Sequence, residues 1–326
     1  MNTNPRLNRI AEVARVYYME NRTQAQIGTS MGISRSQVSR YLSEAREMGI
    51  VQIRIVPPGE ESNELCEALK RRFPRLQDIV IAPIFDPSPD AVRAIIGRYA
   101  ANYLLKVVKP GQRIAIGCGR TLHAMVKALP KGKISGVSVA QTMGNLGHEA
   151  HHLDYNEIAR VAAEVLGGRV YYVSAPAILG PESRPAVEFI RANPMLEKAL
   201  SVASQADLFI VGLGSMESDL VYTRFGLISY ADLEALRGRA VGDICGRFYD
   251  IRGQAQPSTF VDRLVGVDLD AFARARMTIG VAGGPDKAAP ILGAIRGGYI
   301  NVLISDEQTA HSVLALDDAY PNQVVG

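Results

Sequence analysis

The sequence lacks tryptophan, has only three cysteines and contains no long apolar segment. Cys66, Cys118 and Cys245 are odd in number and widely spaced, which predicts reduced thiols rather than a disulfide framework. No run approaches the roughly 20 apolar residues that a membrane-spanning helix needs. The first residues, MNTNPRLNRI, also lack the apolar core of a secretory signal. These absences predict a cytoplasmic protein.

The arginines are distributed unevenly along the chain. Residues 1–56 contain eight arginines, no lysine and four glutamates, a balance of +4 in a chain whose net charge is +3. The rest of the chain therefore sums to −1. A basic segment joined to a near-neutral body is expected where one end of a protein meets a polyanion. The alternative is a chance surplus of charge on a solvated surface.

The chain of 326 residues is long for one domain, and its 47% hydrophobic residues can fill a sizeable core. The apolar residues between Arg6 and Glu20 recur at helical spacing and predict a first amphipathic helix. Two short helical patterns follow. Each begins with a hydroxyl residue three positions before a glutamine, at Thr23 and at Ser34, so both fit a capping box.

Gly32 lies between these two patterns and predicts a left-handed turn from one helix into the next. Gly28 falls where two crossing helices require a small side chain, and Ile27, Val38 and Tyr41 fall where the helices face one another. The spacing is typical of a helix-turn-helix.

The second helix then presents polar residues outward from its start: Ser34, Arg35, Ser36, Gln37, Ser39 and Arg40. Such side chains bind base edges and phosphates in the major groove. The alternative is an ordinary helical hairpin with a polar face.

The sequence after this motif predicts a strand over residues 50–56, a wing or brace beside the helices. We expect residues 1–56 to form a small all-α DNA-binding domain, with or without this strand as a wing. Residues 57–326 form a second domain, in which residues 57–72 are a linker helix.

The second domain alternates between apolar strands and helices, which predicts an α/β fold with a mostly parallel sheet. The predicted strands are Ile79–Ala82, Arg113–Gly117, Val137–Gln141, Arg169–Val173, Leu208–Val211, Met277–Val281 and Ile300–Ile304. The clearest helices are Pro89–Val107, Tyr155–Leu166, Pro285–Ile295 and Asp306–Leu314.

Two glycine-bearing loops follow strands of this predicted sheet. One runs from Gly117 through Gly119 and Arg120 to Thr121, and the other contains Gly283, Gly284 and Lys287. In parallel sheets, ligands bind at the carboxyl ends of strands, where loops meet helix N-termini. The loops therefore indicate an anion site, although each alone also fits a plain connection.

Two further patterns have weak catalytic interpretations. Residues 148–152, HEAHH, match the zinc-protease pattern H-E-x-x-H, but Gly144–Gly147 before them predicts a loop rather than the stable helix that this chemistry needs. A ligand-contacting loop or adventitious metal binding is the better interpretation. Cys118 could act as a nucleophile, but a small residue packed between glycines is favoured.

Several segments together resemble the SorC family of bacterial sugar-responsive transcription regulators. They are TQAQIGTSMGISRSQVSRYLSEAREMGIVQIRI, GCGRT, AQTMG, VYYVSAPA, VGLGS, GDICGRFYD and VAGGPDKAAPILGAIRGG, in the family's order and approximate spacing. Gly28, Cys118 and the histidine-rich loop depart from the family pattern.

The resemblance implies an effector domain similar in fold to sugar-phosphate isomerases and deaminases, assembled into homodimers or homotetramers. It also implies that the Gly117–Thr121 loop and Lys287 bind a phosphate, and that Gln141 and Asp243 bind sugar hydroxyls.

We therefore predict a DNA-binding regulator of a carbohydrate-utilisation operon. Its operator affinity changes with a sugar or sugar-phosphate effector, and no catalytic residue, metal or cofactor is expected. One alternative is a sugar-phosphate isomerase or deaminase with a DNA-binding appendage, for which Asp243 would be the natural general base. Another is a purely structural DNA-binding protein, but that interpretation assigns no function to the large α/β domain.

Overall fold

A computed structural model describes residues 5–20, 22–51, 60–130, 134, 136–146, 155–180, 186–217, 221–224 and 226–321. The chain divides into two compact units, Met1–Pro58 and Gly59–Gly326. Within the described residues, no helix combines the length and apolar character needed to cross a bilayer.

The first unit consists of α1 (Pro5–Met19), α2 (Gln24–Met31) and α3 (Arg35–Glu47). At the start of α2, the Thr23 hydroxyl accepts from the Gln26 backbone N–H at 3.3 Å, and the Gln26 side chain accepts from the Thr23 N–H at 2.9 Å. This is the complete predicted capping box. Most of the predicted strand over residues 50–56 lies outside the described residues.

The start of α3 differs from the prediction in one bond. Ser34 accepts from the Gln37 backbone N–H at 3.2 Å, as expected. The Gln37 amide does not return to Ser34, however, but donates to the Tyr41 hydroxyl at 3.1 Å. The second box is therefore half formed, because the side chain that would complete it is used inside the helix.

The turn between α2 and α3 explains two glycines. Gly32 ends α2 at φ 64°, in the left-handed region that glycine adopts without steric cost. A Cβ at Gly28 would lie 2.7 Å from the carbonyl oxygen of Ile33, so the helices can approach this closely only because residue 28 has no side chain. Below this crossing, Ile27 and Val38 are completely buried.

The second unit alternates helices with strands. Its helices are α4 (Glu60–Arg72), α5 (Pro89–Val107), α6 (Arg120–Ala128), α7 (Tyr155–Leu166), α8 (Ala186–Arg191), α9 (Pro194–Ser204), α10 (Val221–Arg224), α11 (Tyr230–Leu236), α12 (Leu269–Arg274), α13 (Ala288–Arg296) and α14 (Glu307–Ala319). Short 3-10 turns lie at Val261–Arg263 and Pro285–Lys287, so the helix predicted from Pro285 begins with a 3-10 turn.

The strands are β1 (Asp78–Ala82), β2 (Arg113–Ile116), β3 (Ser138–Gln141), β4 (Arg169–Tyr171), β5 (Leu208–Gly212), β6 (Gly214–Ser215), β7 (Gly242–Ile244), β8 (Arg247–Tyr249), β9 (Met277–Val281) and β10 (Val302–Asp306). Seven of them form one sheet in the order β1-β10-β9-β5-β2-β3-β4, and every neighbouring pair is parallel. The predicted α/β fold with a parallel sheet is confirmed.

The remaining strands, β6, β7 and β8, form a small antiparallel sheet that the sequence analysis did not predict. The large sheet has a hydrophobic core on each face. One core packs α5, α6 and α7 against the sheet. The other contains α4, α12, α13 and α14 together with the small sheet.

Substituting Gly28→Val tests the packing of the first unit. We expect the free energy of unfolding to fall by about 1–3 kcal/mol, because the new side chain must displace the backbone of the turn. The control, Thr29→Val on the exposed face of α2, should change it by less than about 0.5 kcal/mol. Urea unfolding monitored by circular dichroism measures both. Equal effects of the two variants would show that the close approach at Gly28 is unimportant.

Candidate functional site

The carboxyl edge of the large sheet has a topological switch point between β2 and β5. From β2 the chain continues to β3 and β4 on one side, whereas from β5 it continues to β9 and β10 on the other. Ligands of open α/β sheets bind in the crevice formed at such a point. Here the Gly117 N–H donates to the Ile210 carbonyl of β5 at 2.8 Å, which joins the first glycine loop to the neighbouring strand.

The two glycine loops share one unusual backbone conformation. Gly119 precedes α6 at φ 139°, ψ 159°, and Gly284 precedes the Pro285–Lys287 turn at φ 111°, ψ 165°. Only glycine adopts this region readily. Because the residue that precedes each helical turn is a glycine, it has no side chain of its own with which to cap the backbone N–H groups that follow it. Both features suit the binding of an anion.

Lys287 lies in the second loop beside an acidic neighbour. Its ammonium forms an ion pair with Asp286 at 3.2 Å. The loop is fixed from below by the buried Asp306, which accepts from the Gly284 N–H at 2.9 Å and from the Thr309 backbone N–H at 2.8 Å. The Gly284 N–H is therefore already used inside the protein. Its role is to set the loop's conformation rather than to contact a ligand.

The small sheet carries Asp243 to the same edge. Gly214 on β6 pairs with Asp243 on β7, and a Cβ at Gly214 would collide with the Asp243 carboxylate. That carboxylate accepts from the Tyr222 hydroxyl and from the Gly246 N–H, both at 2.9 Å. Burial raises the pKa of Asp243, while these two hydrogen bonds and the charge of Lys287 act in the opposite direction.

The turn between β7 and β8 adds a buried thiol. Cys245 has φ 52° and is the one non-glycine residue with positive φ in the described part of the chain. Its sulfur lies 3.1 Å from the Thr142 hydroxyl and 3.5 Å from the position of a Cβ on Gly117. The strained turn thus places the thiol against the first glycine loop.

Neither thiol in this region is poised as a nucleophile. Burial raises the pKa of Cys245 to about 12 and raises that of Cys118 well above its ordinary value. Burial also raises the pKa of the nearby Tyr155 hydroxyl well above its ordinary value. At neutral pH these groups are uncharged and act as hydrogen-bond donors or packing groups.

Gln141 lies at the end of β3, next to Thr142, and is completely buried. Its side-chain oxygen accepts from the Val173 N–H at 2.7 Å, and its nitrogen donates to Asn156 at 3.0 Å. The amide thereby links β3 to α7 and to the segment after β4, and its second N–H has no partner among the described residues. Its predicted contact with sugar hydroxyls remains a prediction.

The structure therefore brings Gly117, Gly119, Asp243 and Lys287 to one region of the sheet edge. Arg120 and Thr121 begin α6 in the same region. Sequence reasoning missed the supporting residues Tyr222, Cys245, Asp306 and Thr309. Only Asp306 and Thr309 had a local signal, the Asp-x-x-Thr spacing of a helix cap.

The sequence also contained a zinc-protease-like pattern. Residues 148–152 lie outside the described residues. Within the described ranges, no group of three or more potential metal-ligating side chains occurs.

The start of α3 forms a second candidate surface, in the first unit. Ser34, Arg35, Ser36, Ser39 and Arg40 are exposed, whereas Gln37 is half-buried against Tyr41. No acidic residue occurs in the first turn of α3. Arg35 also lines a cleft with Tyr17, Arg22 and Thr23, at the starts of α2 and α3.

Known proteins match this chain over nearly its whole length. The model of the Sugar-bind family, a sugar-binding domain, matches residues 57–315. The deoxyribonucleoside regulator of Bacillus subtilis is 30% identical over 305 residues, 93% of this chain and 96% of that protein. The sorbitol operon regulator of Klebsiella pneumoniae is 30% identical over 94% of this chain and 97% of its own length.

The crystal structure of full-length SorC from Klebsiella pneumoniae matches with a TM-score of 0.74 and 28% identity, covering 96% of this chain and 100% of that one. The fold and these matches define a transcription regulator with a sugar-binding domain, not an enzyme. The chain belongs to the SorC family of sugar-responsive transcription regulators.

Asp243→Asn tests the electrostatics of the site. Because burial raises the pKa of Asp243, ionising it costs more in the folded chain than in the unfolded chain. Protonated Asp243 therefore contributes stability that is complete below the unfolded pKa near 3.8 and is lost as pH rises through the raised folded value. Asparagine removes this dependence while keeping an oxygen for Tyr222 and Gly246.

Urea unfolding of both proteins at about pH 4, close to the unfolded pKa of Asp243, and at about pH 8 measures the effect. We expect the stability of the variant relative to the wild type to be greater at the higher pH. A difference that is the same at both pH values would contradict the assigned direction of the pKa shift.

Proposed function

We propose that the first unit binds operator DNA through the start of α3. The observation that carries this proposal is the set of five exposed polar side chains there, two of them arginines, in a helix whose first turn has no acidic residue. The helix dipole adds partial positive charge at the same end. Arg35 and Arg40 then bind phosphates or guanine edges, while Ser34, Ser36 and Ser39 bind either.

Gln37 has fewer hydrogen-bonding groups available for DNA than the sequence suggested. Its nitrogen already donates to Tyr41, so the side chain retains its carbonyl oxygen and a second amide hydrogen. It can still contact a base. Contact with adenine through both the carbonyl oxygen and the second amide hydrogen is compatible with the bond to Tyr41, which fixes the orientation of the amide.

We further propose that the second unit binds a phosphorylated sugar at the switch point. The start of α6 beside Gly119, together with Lys287, binds the phosphate, and Asp243 accepts from sugar hydroxyls. The family match to a sugar-binding domain supports the ligand class. In this proposal the protein has two conformations that differ in operator affinity. The effector binds one of them more tightly, and its binding therefore changes the affinity for the operator.

These proposals assign a role to each part of the chain. Residues 1–56 are the DNA-binding domain, and residues 57–326 are the effector and oligomerisation domain with a linker helix at its start. Paired subunits span two operator half-sites, which requires a homodimer or homotetramer. Because its DNA partner is there, we place the protein in the cytoplasm.

Arg35→Ala tests the DNA-binding surface. We expect it to abolish specific binding to a duplex from upstream of the protein's own gene, since a lost arginine contact costs about 1–3 kcal/mol per subunit. The matched control is Arg46→Ala at the other end of α3, which should bind nearly as the wild type does. Fluorescence anisotropy at fixed salt measures affinity, and circular dichroism checks folding. Normal binding by Arg35→Ala would refute the assignment of α3.

Lys287→Met tests the phosphate subsite. In a titration panel of free sugars, polyols and their monophosphates, we expect it to weaken binding of the preferred monophosphate by at least about tenfold, with little effect on the free sugar. Asp286→Asn should instead strengthen binding of the preferred monophosphate, because it frees Lys287 from its ion pair at 3.2 Å. Isothermal titration calorimetry measures both. Equal losses for phosphorylated and free ligands would contradict the phosphate role.

A further inference from the structure

An ion cluster with a buried centre lies at the end of α13 away from Lys287. Arg296, the last residue of α13, has a side chain only 3% exposed and donates to Asp317 of α14 at 2.6 Å. The other oxygen of Asp317 accepts from Arg72, the last residue of α4. Arg72 also pairs with Asp318 at 2.7 Å. Asp317 therefore joins three helices through one carboxylate.

Stability alone does not account for this cluster. A buried carboxylate shared by two guanidinium groups can be replaced by apolar residues with little loss or even a gain in stability. In addition, the buried Arg296 Nε finds no hydrogen-bond partner among the described residues. Instead, such a cluster holds the helices that it joins in one defined arrangement.

The opposite end of α13 is packed against the part of the effector site that carries Asp243. A Cβ at Gly242 would lie 2.8 Å from the Pro290 side chain, and the Tyr249 hydroxyl donates to the Pro290 carbonyl at 3.0 Å. A Cβ at Gly293 would lie 2.9 Å from the Tyr249 ring. Contacts this close couple the β7–β8 hairpin to α13, so a shift of one displaces the other.

The cluster also includes the last residue of α4, the helix that follows the first unit in the sequence. Arg72 ends α4, and the segment that precedes α4 connects it to the residues of the helix-turn-helix. Of the helices in the second unit, α4 is therefore the first after the helix-turn-helix along the chain.

We propose that Asp317 is a positioning residue that transmits the state of the effector site to α4, through Arg296 at the end of α13 and Arg72 at the end of α4. The proposal rests on the proposed function, because it assigns the effector to the site beside Asp243. A displacement of the β7–β8 hairpin moves α13, Arg296 carries the displacement to Asp317, and the bond to Arg72 changes the restraint on α4.

The test uses hydrogen–deuterium exchange of the full chain and requires neither effector nor operator. Asp243→Asn serves as the perturbation at the effector site and is introduced into two backgrounds, Arg72→Met and Arg71→Met. Arg71 is the matched control, since it is an arginine on the same turn of α4 with no ion pair among the described residues. Arg72 is substituted rather than Asp317, whose removal would leave Arg296 buried without a counter-charge.

In the Arg71→Met background, we expect Asp243→Asn to change amide exchange in residues 65–72 by at least about twofold. In the Arg72→Met background the same substitution should leave that exchange unchanged. Amides of β5 serve as the reference for global stability. A purely structural role of Arg72 would alter exchange in α4 but would leave the effect of Asp243→Asn equal in both backgrounds. That result, or no effect in either background, would overturn the proposal.

A second measurement separates this proposal from the proposed function. The same four proteins are titrated with the operator duplex, and Asp243→Asn should change affinity only where Arg72 is present. If exchange behaves as expected but no protein binds the duplex specifically, the DNA-binding proposal fails while the coupling through Asp317 stands. If the duplex is bound but Asp243→Asn acts equally in both backgrounds, the coupling fails while DNA binding stands.

Discussion

The pairing of Gly214 with Asp243 is the constraint on which the candidate effector site depends. The chain leaves the parallel sheet at the end of β5 and enters the small antiparallel sheet at once. A Cβ on residue 214 would collide with the Asp243 carboxylate, so the carboxylate can occupy this position only because residue 214 has no side chain. This pairing brings Asp243 to the switch point and sets Cys245 against the Gly117 loop. It also lets Tyr222 and Gly246 fix the carboxylate.

The electrostatics of the site follow from the same arrangement. The Asp243 carboxyl group is costly to ionise because it is buried, although two hydrogen bonds and the charge of Lys287 favour the ionised form. The two hydrogen bonds also fix its orientation. Lys287 has Asp286 as its own partner, so a phosphate must compete for it. Neutral thiols and phenols complete the surroundings. Such a site discriminates ligands by hydrogen bonding to hydroxyls as much as by charge.

Much of the fold was predictable from the sequence, because strands buried on both faces of a parallel sheet appear as short apolar runs between helical patterns. Each of the seven predicted strands corresponds to a strand of the large sheet. Gly32 and the Thr23 cap were equally clear, since their chemistry is local. The strands β6, β7 and β8 were missed because they are two or three residues long, too short for a periodic pattern.

The site was predictable only in part. The Gly117 and Gly283 loops have local signatures, but their convergence with Asp243 depends on strand order, which sequence periodicity does not contain. The supporting bonds from Tyr222 and Asp306 and the cluster around Asp317 join residues far apart in the chain. For Gln37 the sequence suggested a free amide, whereas the helix itself uses part of it.

The most direct test of the account is hydrogen–deuterium exchange of the full chain with the sugar or sugar phosphate that shifts operator affinity. We expect slower exchange in residues 117–123 and 283–287, the two loops at the carboxyl edge of the sheet, together with a change in α4. Protection at the opposite edge instead, around the cleft lined by Lys106, Gln112 and Asp207, would contradict it.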